Sequence, residues 1–390
     1  MNLLMVSGDR QVVIGERGPF HAMQREFSRY FDRVDVICPR PEGEIVQRSL
    51  FGNVHFHPAH VGRRGMVAFI ESRGAELVRE HRPGLIVSHD YGWFYNGIGS
   101  ARLSRTTGVP YLSEIHHVPG VPVVADLRER FDRFVARCYI GWARSRARAF
   151  RVVNKVEMPA LLRRWHVPAE KVLVLPSLYI DLETFHPPAE PMEAERDVLF
   201  VGRLVNNKGV DKIAAALGIL ARKGQPTSAM FIGRGPLQSS LRRQVEAAGI
   251  GDRVELVEWV DSPADLAQLY RTSRVVVCAS TCEGGPRFTV EAMACGTPVV
   301  STPVGVMSDL LSDGRAGALT GFDAERLAAT LGDVLGDEER RRRLGEVAAE
   351  RALSFEYERA LGVYANGLRK LAGETELAPE QRRPRWEEES

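Results

Sequence analysis

Long apolar runs, paired cysteines and a strong charge bias are all missing from this 390-residue sequence. No run of about 18 apolar residues occurs, so no transmembrane helix is expected. The five cysteines are odd in number and mostly lie in apolar contexts, so we expect reduced thiols in a cytoplasmic protein. A net charge of +2 is too small to argue for a nucleic-acid partner.

The remaining composition is ordinary for a globular protein, with 44% hydrophobic, 8% aromatic and 26% charged residues. A chain of this length favours two or three domains. Residues 1–7 form a short strand-like run rather than the apolar stretch of a secretory signal, so no leader peptide is expected. These features indicate a large soluble enzyme.

Apolar runs suited to strands alternate with helical patterns along the chain. Strands are predicted over 3–6, 34–38, 85–88, 111–115, 150–153, 172–175, 198–201, 228–232, 254–257, 275–278 and 299–301. Helices are predicted over 20–30, 65–80, 127–143, 156–165, 210–221, 237–248, 264–270, 288–295, 324–335 and 355–371. Repeated βα units imply an α/β fold with parallel, doubly wound sheets, and two such sets imply two Rossmann-like domains.

Glu283 and Glu291 follow the predicted strand over 275–278 and carry the strongest functional signal of the chain. Glu283 stands before a Gly-Gly-Pro loop, 284–286, and Glu291 lies in the short helix over 288–295. Open α/β sheets bind ligands at this end of their strands. Two ionised carboxylates suit a polyhydroxylated ligand, because they accept the hydrogen bonds that sugar hydroxyls donate. A surface helix with two solvated glutamates is the alternative.

The spacing of these glutamates, with the Ala-Met-Ala-Cys-Gly-Thr-Pro-Val-Val run at 292–300, resembles the signature of retaining glycosyltransferases of the family 4 type. The resemblance implies GT-B architecture, in which two Rossmann-like domains with parallel sheets face each other. The segment 171–185 is similar to the passage between the family's two domains, although Ser177 and Leu178 replace the usual Asn-Gly.

Composition and the resemblance together divide the chain. Residues 184–196 are rich in proline and glutamate and lack an apolar period, so they are predicted to be a linker. We expect an acceptor-side domain over 1–183 and a nucleotide-sugar donor domain over 197–354. The resemblance implies that a helix over about 355–372 crosses back onto the first domain. The charged residues 373–390 are expected to form a disordered tail.

Residues 200–209 combine a strand, a glycine turn and the start of a helix, where free backbone N–H groups favour an anion. Arg203 can grip a phosphate bidentately, and Lys208 adds a point charge. Two solvated surface cations are the alternative. The resemblance implies that this pair holds the donor's diphosphate. It also implies that Glu291 binds the ribose and that Glu283 holds the sugar.

Several glycine-rich loops complete the donor site that the resemblance implies. Gly233 and Gly235 lie in a strand-to-helix loop that the family places by the nucleotide base, although a plain tight turn is equally consistent. Arg287 departs from the family's common loop and adds a cation suited to an anionic sugar, a phosphate or the acceptor. The candidate donor-binding residues are Gly18, Gly202, Arg203, Lys208, Gly233, Gly235, Glu283, Gly284, Gly285, Pro286, Arg287, Phe288 and Glu291.

The first domain offers fewer matches. Gly18 lies between the first strand and a helix, where the family commonly has a glycine loop near the transferred sugar. His116 ends the strand predicted over 111–115, in the register of a family histidine that faces the reacting sugar. His117 stands where the family more often has aspartate or glycine. The catalytic candidates are therefore His116, Glu283, Arg203 and Lys208, and no metal ligand is assigned.

The function that the resemblance implies is transfer of a sugar, with retention, from a nucleotide-diphosphate sugar to a hydroxyl of a glycan, lipid or small molecule. No Asp-x-Asp occurs, so a metal-independent site without a cofactor is expected. A sugar-nucleotide epimerase of similar two-domain fold and a non-catalytic sugar-nucleotide-binding protein are the alternatives. An oxidoreductase is discounted, because no Gly-x-Gly-x-x-Gly opens a strand–helix unit. Donor, acceptor and oligomeric state stay open.

Residues 133–156 contain seven basic residues and no acidic residue, with aromatic residues interleaved. A basic helix of this kind suits the surface of an anionic membrane. The alternative is a solvated arginine face beside core aromatics. The sequence therefore predicts a cytoplasmic protein with possible peripheral contact at the inner membrane face.

Overall fold

A computed structural model describes residues 1–176 and 178–384. Its strands are β1 (Asn2–Val6), β2 (Arg33–Cys38), β3 (Ser49–Leu50), β4 (Val54–Pro58), β5 (Leu85–His89), β6 (Tyr111–Glu114), β7 (Ala149–Val152), β8 (Val172–Val174), β9 (Arg196–Val201), β10 (Ala229–Ile232), β11 (Val254–Val257), β12 (Ser273–Cys278), β13 (Val299–Ser301) and β14 (Gly317–Leu319).

Helices occupy most of the connections between these strands. They are α1 (Pro19–Phe27), α2 (Met66–His81), α3 (Tyr95–Thr107), α4 (Leu127–Ala143), α5 (Glu157–Arg164), α6 (Val210–Arg222), α7 (Gln238–Ala247), α8 (Pro263–Arg271), α9 (Arg287–Ala294), α10 (Val306–Leu311), α11 (Ala324–Gly336), α12 (Glu338–Ala352) and α13 (Tyr357–Leu371).

The first eight strands form one sheet in the order β3-β4-β2-β1-β5-β6-β7-β8, parallel except for the short antiparallel pair of β3 and β4. Strand β1 lies near the centre and is covered on both faces. Leu4 and Val6 pack into one apolar cluster, while Leu3 and Met5 pack into the other. Burial on both faces explains why the strand is a continuous apolar run rather than an alternating one.

The last six strands form a second sheet, in the order β11-β10-β9-β12-β13-β14, and every pairing in it is parallel. Its central strand β12 repeats the pattern of β1. Val275 and Val277 belong to one buried cluster, and Val276 and Cys278 belong to the other. Two doubly wound parallel sheets are present, which confirms the predicted α/β fold class.

The C-terminal helix α13 packs on the first sheet's domain. Leu361, Tyr364 and Leu368 join the same cluster as Leu3 and Met5. This is the crossing that the resemblance implied.

The expected disordered tail differs from what the structure shows over 373–384. The backbone N–H of Arg383 donates to the Arg29 carbonyl at 3.0 Å, and Arg382 lies over the Tyr30 ring at 4.9 Å. The arginines that suggested a solvated tail instead contact the first domain. Residues 385–390 and Ser177 lie outside the described residues.

The sequence missed helices α3, α10 and α12 and strands β3, β4 and β14. Strand β4 carries two histidines, and β14 has only three residues, so neither forms a long apolar run. Helix α3 is rich in glycine and serine. Its glycines allow α2 to approach closely, because a Cβ added at Gly99 would lie 2.9 Å from the Ile70 side chain. Tertiary packing, rather than helix propensity, explains this helix.

The two domains contact each other through loops at the carboxyl ends of their strands. The Cys282 thiol lies 3.2 Å from the Val118 carbonyl oxygen, and the Val123 N–H lies 3.4 Å from the Thr281 oxygen. A Cβ added at Gly284 would come within 2.7 Å of the His116 carbonyl oxygen. Among the described residues, no helix is both long and apolar enough to cross a membrane.

Candidate active site

Two glycine loops of the second domain meet beyond the ends of β9 and β10. The Gly202 N–H donates to the Ile232 carbonyl at 2.9 Å. Gly233 has φ of 143°, and a Cβ there would lie only 2.0 Å from the Gly202 oxygen. A Cβ at Gly235 would similarly lie 2.2 Å from the Leu204 oxygen. These glycines are therefore required for the two loops to approach each other, whether or not a ligand binds beside them.

Lys208 and Glu283 form an ion pair between the loops that follow β9 and β12. Ser280 lies 3.4 Å from the same carboxylate oxygen, and the Thr281 N–H donates to the Asn207 carbonyl at 2.9 Å. The two side chains are only 13% and 17% exposed. The sequence assigned them to neighbouring parts of one ligand, and the structure brings them into direct contact.

Glu291 is buried in α9, with 8% of its surface exposed, and it lines a cavity between the domains. The Tyr270 hydroxyl donates to its Oε2 at 3.1 Å. Burial raises the pKa of Glu291 above its ordinary value, while the charge of Arg287 and the hydrogen bond from Tyr270 oppose that shift. A buried carboxylate held in one orientation is suited to bind a pair of neighbouring hydroxyls.

The loop from Gly284 to Phe288 divides into parts that face the cleft and parts that do not. Arg287 Nη1 donates to the Tyr179 carbonyl at 2.8 Å, and its guanidinium lies 4.7 Å from the centre of the Tyr179 ring. Gly285 faces Leu178, where an added Cβ would lie 2.8 Å from the side chain. Pro286 is the residue before α9, and its fixed φ suits that position.

Phe288 was a candidate ligand contact, but it is largely a core residue. Its ring packs against Phe200 with 6.0 Å between ring centres, and it is 8% exposed. Arg203 shows the opposite environment. It is exposed, and within the described part of the chain no hydrogen bond or ion pair of its side chain is present.

His116 is held by a buried charge network in the first domain. Its Nε2 lies 3.2 Å from Arg151 Nη1 and 3.8 Å from Glu114 Oε2. An arginine N–H can only donate, so Nε2 is the acceptor in the contact with Arg151. The ring nitrogen Nε2 therefore faces the first domain. The main chain of His116 faces Gly284 of the second domain.

Arg151 and Glu114 form the centre of that network, and both side chains are 1% exposed. His89 Nε2 lies 3.2 Å from Glu114, and the Tyr364 hydroxyl of α13 also donates to Glu114. Burial alone would raise the pKa of Glu114, but above all the charge of Arg151 lowers it well below its usual range. Burial lowers the pKa of His89 to about 4.

The sequence ranked His117 below His116, and charges of the second domain act on the pKa of His117. Desolvation lowers the pKa of His117, and the charge of Glu283 opposes that change. The charges of His116 and Lys208 add to the lowering. The charges of Lys208 and Glu283 therefore act on His117 across the contact between the domains.

A cavity of about 1100 Å³ opens between the domains beside Glu291. This volume is slightly above the usual range for ligand sites, roughly 300–1,000 Å³. Its wall on the first domain includes Arg17 and His21. Gly18, the N-cap residue immediately before α1, has no atom within 4 Å of the position of an added Cβ.

The opposite wall includes residues that sequence reasoning missed. Trp259, Asp261 and Ser262 lie between β11 and α8, and Trp259 is 70% exposed. The sequence signal that could have identified this wall is Trp259, an aromatic residue in a loop between a strand and a helix. The helix start is marked by Ser262, which caps α8 by accepting a hydrogen bond from the Asp265 N–H. The cavity can therefore hold a polyhydroxylated ligand at Glu291. The loops at Lys208 can hold an anion.

Comparison with known proteins agrees with this arrangement. Residues 181–351 match the model of glycosyl transferases group 1, and residues 20–177 match the glycosyl transferase 4-like domain. The D-inositol 3-phosphate glycosyltransferase of Paenarthrobacter aurescens (strain TC1) is 30% identical over 298 residues, which cover 72% of each chain.

Solved structures of similar fold cover almost the whole chain. Sucrose-phosphate synthase from Thermosynechococcus elongatus has a TM-score of 0.74 at 22% identity, covering 95% of this chain and 99% of that one. Anabaena HepE, solved in complex with UDP and glucose, has a TM-score of 0.72 at 19% identity, covering 95% of this chain and 100% of that one. At these identities the likeness concerns the fold.

Proposed function

Since this chain belongs to the glycosyl transferases group 1 family, enzymes of GT-B architecture that transfer sugars from nucleotide-sugar donors, we propose that it works with retention of configuration and without a metal ion. The observation that carries the proposal is the meeting of Lys208 and Glu283 in the loops after β9 and β12, the second of which leads into α9, whose Glu291 lines the cavity. One cation and two carboxylates at the ends of parallel strands suit a diphosphate joined to two polyhydroxylated groups.

The reaction first requires that the negative charge on the leaving group be stabilised. When the bond between the sugar and the diphosphate breaks, negative charge grows on the departing phosphate. Lys208 would exchange Glu283 for that phosphate, and the exposed guanidinium of Arg203 would bind it from the same loop. Fixed cations aimed at growing charge are a strong source of catalysis, and they take the role that a divalent ion has in other transferases.

The carboxylates have separate roles in this proposal. Glu291 accepts hydrogen bonds from the ribose hydroxyls, and Glu283, once released from Lys208, accepts hydrogen bonds from the transferred sugar. His116 positions the first-domain loop against Gly284, and its ring supports the sugar side of the cleft. In a retaining reaction of this kind, the acceptor hydroxyl attacks from the face of the leaving group. The departing phosphate then takes the acceptor's proton.

The acceptor is proposed only as a hydroxyl compound. The curated relative named above acts on D-inositol 3-phosphate, so inositol phosphates belong in the first acceptor panel together with glycans and lipids. Family membership favours transfer over the two alternatives, epimerisation of a sugar nucleotide and binding without catalysis.

A thermal-shift panel of nucleotide sugars tests the proposal, because a ligand that binds only the native state raises the unfolding temperature. The best donor is then incubated with the acceptor panel in EDTA, and the anomeric configuration of the product is read by NMR. We expect transfer with retention and undiminished activity in EDTA. An inverted product, or activity that returns only with a divalent ion, would contradict the proposed mechanism.

Peripheral contact with an anionic membrane is also proposed, but the arginines of 133–156 are not equivalent. Arg151 is buried against Glu114, and Arg146 lies over the Trp142 ring at 4.4 Å. Arg144 lies 3.5 Å from the His166 carbonyl oxygen. These three side chains are therefore partly or wholly engaged within the protein.

A further inference from the structure

Helix α4 exposes a continuous apolar stripe to solvent. Leu127, Phe131 and Phe134 are 82%, 51% and 62% exposed, and they are separated by four and three residues. Cys138, four residues further on, is also exposed. Positions at this spacing lie on one side of a helix. Isolated apolar residues on a surface are common, but a row of four along one helix is not.

The same helix has a second apolar side that packs in the core. Ala136, Tyr139, Ile140 and Ala143 are buried on the first domain. The inner side therefore anchors α4, and folding of the domain gives no reason for the outer row of leucine and phenylalanine. A helix that needed only to cover the sheet would carry polar residues there.

Trp93 extends the outer row beyond the helix. It lies in the loop after β5, is 65% exposed, and its ring meets Phe131 edge to face with 6.0 Å between ring centres. Tyr91 of the same loop is 53% exposed. Tryptophan and tyrosine are enriched where a protein meets the boundary between lipid and water.

Arginines flank the apolar row of α4. Arg130 and Arg137 are exposed and seven residues apart, so they lie along one flank. Arg128 lies on the other flank, where Asp132 at 3.9 Å offsets its charge. Glu129 lies by helical spacing on the inner side. An apolar row bordered by cations is complementary to a surface with apolar interior and negative charge at its boundary.

We propose that this surface, defined by Leu127, Phe131, Phe134 and Trp93 and here called the α4 face, docks onto a bilayer containing anionic lipid. The aromatic rings and the leucine enter the boundary of the acyl chains, and the flanking arginines contact the lipid phosphates. Charge complementarity selects the bilayer over a second copy of this chain, since two such faces would bring their arginines together.

The position of the α4 face gives the docking a consequence for the substrate. Helix α4 begins eleven positions after His116, and the connecting loop reaches the second domain through Val123 and Thr281. The acceptor side of the cleft would then open near the bilayer. If the proposed transfer reaction is right, the acceptor carries a lipid part and is reached without leaving the membrane.

Sedimentation of the full chain with vesicles tests the docking without using activity. Vesicles of phosphatidylcholine with about 30% phosphatidylglycerol, which resemble an anionic natural membrane in charge, are compared with vesicles of pure phosphatidylcholine. Both are tested at low and at high salt. We expect binding to the anionic vesicles that weakens as salt rises, because screening reduces the attraction of the arginines. Trp93 fluorescence should shift to shorter wavelength on binding.

Two double variants separate the apolar and charged contributions. Phe131→Ser with Phe134→Ser should abolish binding at all salt concentrations. Arg130→Gln with Arg137→Gln should weaken it by roughly 5-fold per arginine and flatten its salt dependence. The matched control is Arg242→Gln with Arg243→Gln, two exposed arginines of α7 in the other domain, which should bind like the wild type.

All variants should keep the wild-type thermal shift with the donor, which shows that they fold and that the α4 face is distinct from the donor site. Absence of binding to anionic vesicles at low salt would overturn the proposal. So would equal losses in the α7 control, or a concentration-dependent dimer that the serine variants dissolve without any effect on vesicle binding. Loss of the donor reaction with docking intact would instead count against the proposed function alone.

Discussion

Lys208 and Glu283 lie 75 positions apart in sequence and form an ion pair at the ends of two neighbouring parallel strands. Each neutralises the other in the ligand-free chain, and both are largely shielded from water. A ligand with a negative diphosphate and a neutral sugar can replace both partners at once. The pair therefore keeps a cation and a carboxylate at fixed positions without leaving either charge uncompensated.

The first prediction concerns the cations at this site. Lys208→Met and Arg203→Gln should each lower kcat and kcat/KM together by on the order of 10²-fold, because they remove stabilisation of charge that grows in the transition state. Initial rates over a range of donor concentration measure both quantities. Lys223→Met, an exposed lysine at the end of α6, is the control and should be unchanged. A rise in KM alone would assign both cations to ground-state binding.

The second prediction concerns Glu291 and its dependence on pH. Burial holds its pKa above the ordinary value, so its carboxylate takes up a proton at a higher pH than an exposed glutamate does. The protonated form loses acceptor capacity for hydroxyls, so donor affinity should fall as pH decreases through that raised pKa. Calorimetric titration of the donor at several pH values measures this.

Two variants test the assignment. Glu291→Gln should bind the donor weakly at every pH tested, mainly raising KM with little change in kcat. Tyr270→Phe removes the hydrogen bond that favours the carboxylate, so the loss of affinity should begin at a higher pH than in the wild type. Identical pH profiles in all three proteins would show that Glu291 does not contact the donor.

The third prediction concerns the buried pair of Arg151 and Glu114. Arg151→Met leaves a buried carboxylate without its main partner, which should cost about 3–5 kcal/mol of stability. Combining it with Glu114→Gln removes the stranded charge and should recover a large part of that cost. Chemical denaturation of the two single variants and the double variant forms a double-mutant cycle.

The cycle also tests whether the network positions His116. If Arg151 fixes the ring through Nε2, the stable double variant should keep donor affinity but have a lower kcat than the wild type. The single variant Arg151→Lys should have a kcat between those of the double variant and the wild type. A double variant with wild-type kcat would limit this network to a structural role.

Sequence and structure agree most closely where a local pattern decides the outcome. The apolar run at 275–278 lies within β12, and the glycine and proline that follow it place Glu283 in a loop and Glu291 on α9. Both facts depend on neighbours in the chain. The fold class follows in the same way, because each βα repeat is a local unit and parallel pairing is the arrangement that such units allow.

The sequence could not supply facts that depend on packing between distant segments. The direct contact of Lys208 with Glu283 depends on the order of strands in the sheet, since β9 and β12 are neighbours although two strands, β10 and β11, separate them in the sequence. The inward orientation of His116 depends on Arg151, 35 positions away. The cavity wall at Trp259 depends on how the domains meet. Each of these is a tertiary relationship without a local signature.

The last prediction concerns Glu157, which lies at the contact between the domains. Its Oε2 accepts from the Gly305 N–H at 3.3 Å. Burial raises the pKa of Glu157 to about 7, with the nearby Asp309 adding to the rise and the hydrogen bond from Gly305 opposing it. The folded chain therefore keeps this proton between about pH 4.5 and 7, where the unfolded chain releases it. Its contribution to stability is complete below about pH 4.5 and is lost as pH rises through about 7.

Glu157→Gln removes that loss, because a glutamine stays neutral at every pH. The variant should gain up to about 3 kcal/mol relative to the wild type at pH 8, and the difference should shrink toward zero near pH 4.5. Thermal unfolding at both pH values measures this, with Glu170→Gln, an exposed glutamate of the same domain, as the control. The domain contact involves Gly305, whose added Cβ would lie 2.2 Å from the Gly284 oxygen in the candidate site. Because an ionised Glu157 is costly to keep buried, ionisation should open the domain contact near Gly284, and the wild type should lose donor affinity above pH 7 while Glu157→Gln keeps it. A stability gain of equal size at pH 4.5 and pH 8 would mean that titration of Glu157 is not its cause.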